Sequence, residues 1–133
     1  MSNFSFLKPE WPGLFFKMKK AEARVMSEPV STASYCRLVL EESMYKLYDL
    51  EFILLPYNTE LVNLMNQEEI KSIIPFAHNN GIHIVRKTGN NAAHYGSKVT
   101  SKDALISIKY IYGFLLWFAD TYSKVRPELP GKF

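Results

Sequence analysis

Apolar residues recur along this chain at mixed three- and four-residue steps, the spacing of one face of an α-helix, and show no sustained strand-like alternation. From Pro12 to about Met26 the repeat is Leu14, Phe15, Met18, Ala21 and Val25. From Pro29 to Tyr48 it is Ala33, Cys36, Leu40, Met44 and Leu47. Ser27 reads as the N-cap of this second helix, with Pro29 inside the first turn, where its missing N–H has no partner to lose. The apolar run Phe52 to Pro56 is short enough for one strand, but no second run offers it a partner, so residues 49–58 read as a packed loop. Thr59 is placed to cap a short helix bearing Leu61, Leu64 and Met65, and another short helix covers Glu68 to Ile74. Pro75 opens a fifth helix carrying Phe76, Ile82, Ile84 and Val85, while Asn79-Asn80-Gly81 leaves Asn80 as a competing start. Thr100, with Asp103 three residues on, resembles a capping box for a last helix from about Ser101 to Tyr122. That helix is apolar on nearly every side, the mark of a central element or an interface. The pattern predicts an all-α single domain over residues 1–123, a bundle of about five to six helices with the apolar C-terminal helix at its centre. The charged, Pro-rich residues 124–133 read as the start of a linker.

Composition narrows the class. With 133 residues, 47% hydrophobic and 14% aromatic, the chain can bury a core and is not a disordered one. A net charge of +3 is mild. Its densest basic run, Lys17, Lys19, Lys20 and Arg24, is interrupted at helical spacing and reads as a solvated helix face rather than a phosphate-contacting strip. The lone cysteine, Cys36, excludes an internal disulfide and sits in an apolar stretch as a small hydrophobe. No Cys/His spacing suggests a zinc site, and no apolar run is long enough to span a bilayer. The expectation is a soluble, cytoplasmic chain with no membrane partner and no metal.

Candidate chemistry concentrates in Arg86-Lys-Thr-Gly-Asn-Asn-Ala-Ala-His94, between two apolar elements. Polar groups at such a junction either tie elements together or bind something polar. Arg37 and Glu41, four apart on the second helix, share a face beside its apolar stripe. Arg86 and Asn90 are also four apart, and His94 begins the turn into the last helix. These five residues are expected to gather in one partly buried cluster, structural first and anion-binding second, with two guanidiniums against one carboxylate. Glu41→Ala is then expected to cost about 3 kcal/mol as a broken buried pair. Gly89 reads as the residue that ends the fifth helix. Lys87 is expected to face solvent, and His78 and His83 are read as ordinary surface residues. Tyr110, Tyr112 and Trp117 could stack bases, but at helical spacing they read as core. No residue is assigned a catalytic role.

The opening Ser2-Asn3-Phe4-Ser5-Phe6-Leu7-Lys8-Pro9-Glu10-Trp11-Pro12 resembles the N-terminus of one group of restriction (R) subunits of type I restriction-modification systems. Two further blocks agree with it: Tyr35-Cys36-Arg37 with Leu40-Glu41 and Leu47-Tyr48, and Ile84-Val85-Arg86-Lys87 with Gly89-Asn90, Ala92 and His94. The resemblance runs from residue 2 to about 123. It implies a helical accessory domain preceding a nuclease domain and an ATP-dependent DNA translocase. The partners implied are the other domains and subunits of the restriction complex, and DNA through that complex. ATP and Mg would serve the parent chain. This segment has neither a phosphate loop nor a paired-acid nuclease motif and is expected to need no cofactor. The helical pattern also resembles the wider HEPN class of nucleotide- and RNA-associated bundles, whose active members use an Arg and a His. This chain departs from their spacing by placing seven residues between Arg86 and His94.

Overall fold

Two prolines start the first two long helices: Pro12 opens α1 (Pro12–Ala23) and Pro29 opens α2 (Pro29–Leu50). The computed structural model describes residues 2–95, 98–125 and 127–133. Among the described residues all regular structure is helical. A 3-10 turn at Ser5–Leu7 precedes α1, and α2 is followed by α3 (Leu61–Asn66), α4 (Glu68–Ile73), α5 (Phe76–Tyr95) and α6 (Ser101–Tyr122).

Caps differ from expectation in two places. Glu28, not Ser27, occupies the cap of α2, and no side chain caps it. The link from α1 is already helical in its bonding, since the Glu28 N–H donates to the Arg24 carbonyl at 2.8 Å. Glu60, not Thr59, precedes α3. There the Asn58 side-chain oxygen accepts the Glu60 N–H at 2.9 Å, a local turn that replaces the threonine cap. The capping box at Thr100 is complete. The Asp103 N–H donates to Thr100 Oγ1 at 3.1 Å, and the Thr100 N–H donates to Asp103 Oδ2 at 3.0 Å.

Helix α5 starts at Phe76 and passes unbroken through Asn79-Asn80-Gly81. Gly81 is there because α6 comes close: a Cβ on it would lie 2.5 Å from Tyr110 Cδ1. A contact between Gly113 and His78 continues the same pairing, so α5 and α6 run antiparallel. Helix α2 pairs antiparallel with α5 in turn, with Ala33 beside Ala92 and Arg37 over Gly89. Helix α6 lies against both, and α2 also meets α1 and α3.

The core is formed where these helices meet, with Leu14, Met18, Leu40, Met44, Ile108, Phe114, Leu115 and Phe118 all buried. Truncating Phe118 to Ala would leave a cavity costing about 3–5 kcal/mol. The opening segment belongs to the same core: Phe4 and Leu7 are fully buried, and the Trp11 ring lies 5.0 Å from that of Phe118. The tail expected as a linker folds back, with Leu129 packed on the core and the Phe133 ring 5.1 Å from Tyr112. Those two apolar anchors outweigh its prolines and charges. Arg126 of that tail lies outside the described residues.

The loop 51–60 forms no strand, as expected, but it is not packed. Phe52, Leu54 and Tyr57 are almost fully exposed, and Ile53 alone of the run joins the core. Helix α2 extends to Leu50, and Phe52 takes a left-handed turn at φ 56°. The Ile53 N–H bonds the Tyr48 carbonyl at 2.9 Å. That turn fixes Ile53 inward and directs its neighbours outward. Phe76, the first residue of α5, is 88% exposed and lies at the same end of the bundle, since α5 starts beside the end of α2.

Candidate functional site

Helices α2 and α5 come close enough to touch through a glycine. A Cβ on Gly89 would sit 2.3 Å from Arg37 Cβ. Gly89 therefore does not end α5, which runs on to Tyr95; it allows the two backbones to approach. The close approach brings Arg37 to Asn90, one residue beyond the glycine, and Arg37 Nε donates to Asn90 Oδ1 at 2.7 Å. On its own helix Arg37 Nη1 lies 3.6 Å from Glu41 Oε2.

Arg37, Glu41, Arg86, Asn90 and His94 line one cleft of about 380 Å³, joined by Glu60, Leu61 and Val62. All five residues singled out in the sequence are thus brought together, although His94 is exposed. The other three come from the start of α3, which the loop after α2 carries back over the α2–α5 groove. No helical spacing in the sequence signals that return. Glu60 changes the electrostatics, since two carboxylates now face two guanidiniums. The cationic surplus expected from one carboxylate is therefore absent. The Arg37–Glu41 pair is also about a third exposed on each side, 31% and 35%. The cost expected for breaking a buried pair does not apply, and about 1 kcal/mol or less is the appropriate scale.

Arg86 is the less settled of the two cations. Its Nε donates to His83 Nδ1 at 3.3 Å, and among the described residues it makes no ion pair. Burial, then the neighbouring charge of Arg37, lowers its pKa from the ordinary arginine value. His83, read in the sequence as a plain surface residue, is half-buried and serves as that acceptor. Burial holds its pKa below the usual histidine value, with the charges of Arg86, Lys87 and Lys71 adding to the effect. The three-residue spacing of His83 and Arg86 on one helix was a visible signal for this pairing. His78 is also half-buried, and burial lowers its pKa too. Lys87 faces solvent. Of the aromatic candidates, Tyr112 is buried, Trp117 is partly buried against the core, and Tyr110 lies 44% exposed against Gly81.

A larger hollow of about 460 Å³ lies between the opening segment and α1. Its carboxylate, Glu22, is already engaged by the Ser2 hydroxyl and by the Asn3 amide at 2.9 Å. The remaining lining is mostly small or apolar, so the smaller cleft is the better site. Among the described residues no group of three or more His, Cys, Asp or Glu is placed to hold a metal ion. Cys36 is buried, and burial pushes its thiol pKa far up, which removes it as a nucleophile. No helix among the described residues is long and apolar enough to cross a membrane.

Residues 19–132 match a family described as Domain of unknown function (DUF4145). The chain belongs to that family. The match contains every residue of the cleft and leaves out the opening segment, which nonetheless packs into the same core. No curated protein and no solved structure matches the chain.

Proposed function

We propose that this domain is a non-catalytic accessory and docking module of a type I restriction endonuclease R subunit. In this reading it supports assembly of an ATP-dependent translocase and nuclease, or that machine's contact with partner subunits and DNA. The observation that carries the reading is the apolar end of the bundle. Phe52 is 95%, Leu54 92% and Phe76 88% exposed, and Tyr57 is also fully exposed. Large apolar groups in this density on a surface mark an interaction site. The resemblance of residues 2–12 to R subunits supplies the parent. ATP and Mg belong to that parent's other domains. The self-contained bonding of Arg37 with Asn90 and Glu41 favours a structural role for the cleft. The test is Phe52→Ser/Leu54→Ser/Tyr57→Ser in the parent R subunit. Co-purification with the modification and specificity subunits should fall while the melting temperature stays put. Unchanged assembly would refute the docking role.

One observation favours a second reading, a HEPN-type nucleotide or RNA site. Arg86 and His94 face the same cleft, and the Arg86 guanidinium has no carboxylate partner among the described residues. A thermal-shift screen with nucleotides and short RNA separates the two. Stabilisation that disappears in Arg86→Ala would favour this second reading.

A further inference from the structure

Charge is unevenly distributed along this chain, and the imbalance falls on the segment that carries the exposed apolar residues. The chain as a whole is net positive. Yet residues 49–76, which span the exposed loop, α3, α4 and the start of α5, hold five carboxylates and a single cation. The carboxylates are Asp49, Glu51, Glu60, Glu68 and Glu69, and the cation is Lys71. All five acidic side chains belong to exposed residues. Lys71 is 4.0 Å from Glu68, at the limit of an ion pair, and the Glu68 side chain is 93% exposed. Glu51 accepts the Tyr122 hydroxyl at 2.5 Å, which brings the end of α6 into the same region. The exposed apolar loop is therefore flanked along the chain by carboxylates, with Glu69 near Tyr48 at the end of α2, on a molecule that is otherwise basic.

We propose that this acid-framed apolar end docks a basic amphipathic helix of a partner protein. The inference rests on the docking reading above and names the partner's chemistry. Size is the first argument. The rings of Phe52, Tyr57 and Phe76 together offer on the order of 500 Å² of surface, less than the ~800 Å² per partner of a standard interface. One helix laid across them fits that area better than a whole domain face does. Its apolar stripe would meet the rings, and its Lys and Arg residues would lie over Glu68 and Glu69 at the rim. A second copy of this chain is the poorer occupant. A two-fold contact through this end would set each carboxylate cluster against its own duplicate.

The experiment uses two short synthetic helices with the same Leu/Phe stripe, one with a Lys/Arg polar face and one with a Glu/Asp polar face. Fluorescence anisotropy gives affinities, and NMR shift mapping gives the location. The basic helix should bind at Phe52–Tyr57 at least about tenfold more tightly than the acidic one. High salt should erase the preference, as should Glu68→Lys/Glu69→Lys, both at exposed positions. Equal affinities, failure of both helices to bind, or mapping of the basic helix to another surface would overturn the proposal. So would self-association of the chain that is abolished by Phe52→Ser, which would assign the end to a second copy. If both helices bind equally tightly and Phe52→Ser/Leu54→Ser/Tyr57→Ser weakens both, the charge argument fails while the docking reading stands. If the parent complex assembles normally with those substitutions, the docking reading itself fails.

Discussion

The cleft between α2 and α5 and the apolar end of the same bundle handle their side chains in opposite ways. In the cleft, charged groups find partners within the molecule, with Arg37 bonded to Asn90 and paired with Glu41, and Arg86 bonded to His83. At the end, Phe52, Leu54, Tyr57 and Phe76 find none and stand in solvent. Water solvates a charge at little cost but gains nothing from an exposed ring. A satisfied polar cluster is therefore compatible with a purely structural role. An unsatisfied apolar one points outside the molecule. The two regions should respond differently to substitution, and the differences can be ranked.

The largest effect should come from the glycine that closes the cleft. Gly89→Ala places a methyl 2.3 Å from Arg37 Cβ, an atom fixed to its backbone. The helices must separate, costing about 1–3 kcal/mol as overpacking does. Gly81→Ala is the control. Its methyl meets Cδ1, Cγ and Cβ of Tyr110, a half-exposed side chain that yields more readily than Arg37 Cβ and Cγ do, and alanine regains helix propensity. Chemical denaturation should show a clear loss for Gly89→Ala and a smaller one for Gly81→Ala. Equal losses would contradict the close-approach explanation.

Arg37→Ala comes next, at about 1–2 kcal/mol, the lower part of the range for a hydrogen bond to a charged group because the side chain is a third exposed. Glu41→Ala should cost about 1 kcal/mol or less. A double-mutant cycle of these two checks whether the exposed pair couples weakly. A coupling energy well above that scale would mean that the cleft is drier in solution than its geometry indicates.

The next effect is on pH dependence. Burial lowers the pKa values of His78 and His83 in the folded state. The unfolded chain therefore binds more protons as pH falls through the ordinary histidine value near 6.5. Their contribution to stability is intact above that value and is lost progressively below it, down to the depressed folded values. His83→Gln should flatten the decline in melting temperature between pH 7 and pH 5. A slope identical to that of the unsubstituted chain would show that His83 titrates as if unfolded.

The smallest effect is at Ser107, fully buried on α6 with a hydroxyl that has no partner among the described residues. Ser107→Ala should be neutral or slightly stabilising, because it removes a buried polar group rather than a bond. Calorimetry showing a marked loss would reveal a hydroxyl bond that the structure does not contain.

Helix content and most of the core were legible in the sequence because both follow from local periodicity. Leu14, Met18, Cys36, Leu40, Met44, Ile108 and Phe118 all face inward as their spacing required. The five polar residues of the cleft were legible for the same reason, since four of them sit as pairs four apart on two helices. Features set by long-range contact were not legible. Gly89 read as a helix stop because a glycine packed against another helix and a glycine at a helix end look alike in one sequence. Glu60 was missed because the loop alone decides where α3 returns. Phe52 to Tyr57 read as packed because hydrophobicity suggests burial, and the outward turn at Phe52 comes from how the end of α2 unwinds. Ser27 and Thr59 lost their capping roles to a helical link and to an Asn58 turn, both of which depend on chain direction rather than composition.

The most direct measurement pairs stability with assembly on two variants of the parent R subunit, Arg37→Ala and Phe52→Ser/Leu54→Ser/Tyr57→Ser. If the cleft is a structural clamp and the apolar end a docking surface, Arg37→Ala lowers the melting temperature and leaves subunit assembly intact well below it. The triple variant then does the reverse, keeping its melting temperature and losing assembly. Assembly lost in Arg37→Ala at unchanged stability, and retained in the triple variant, would contradict both assignments at once.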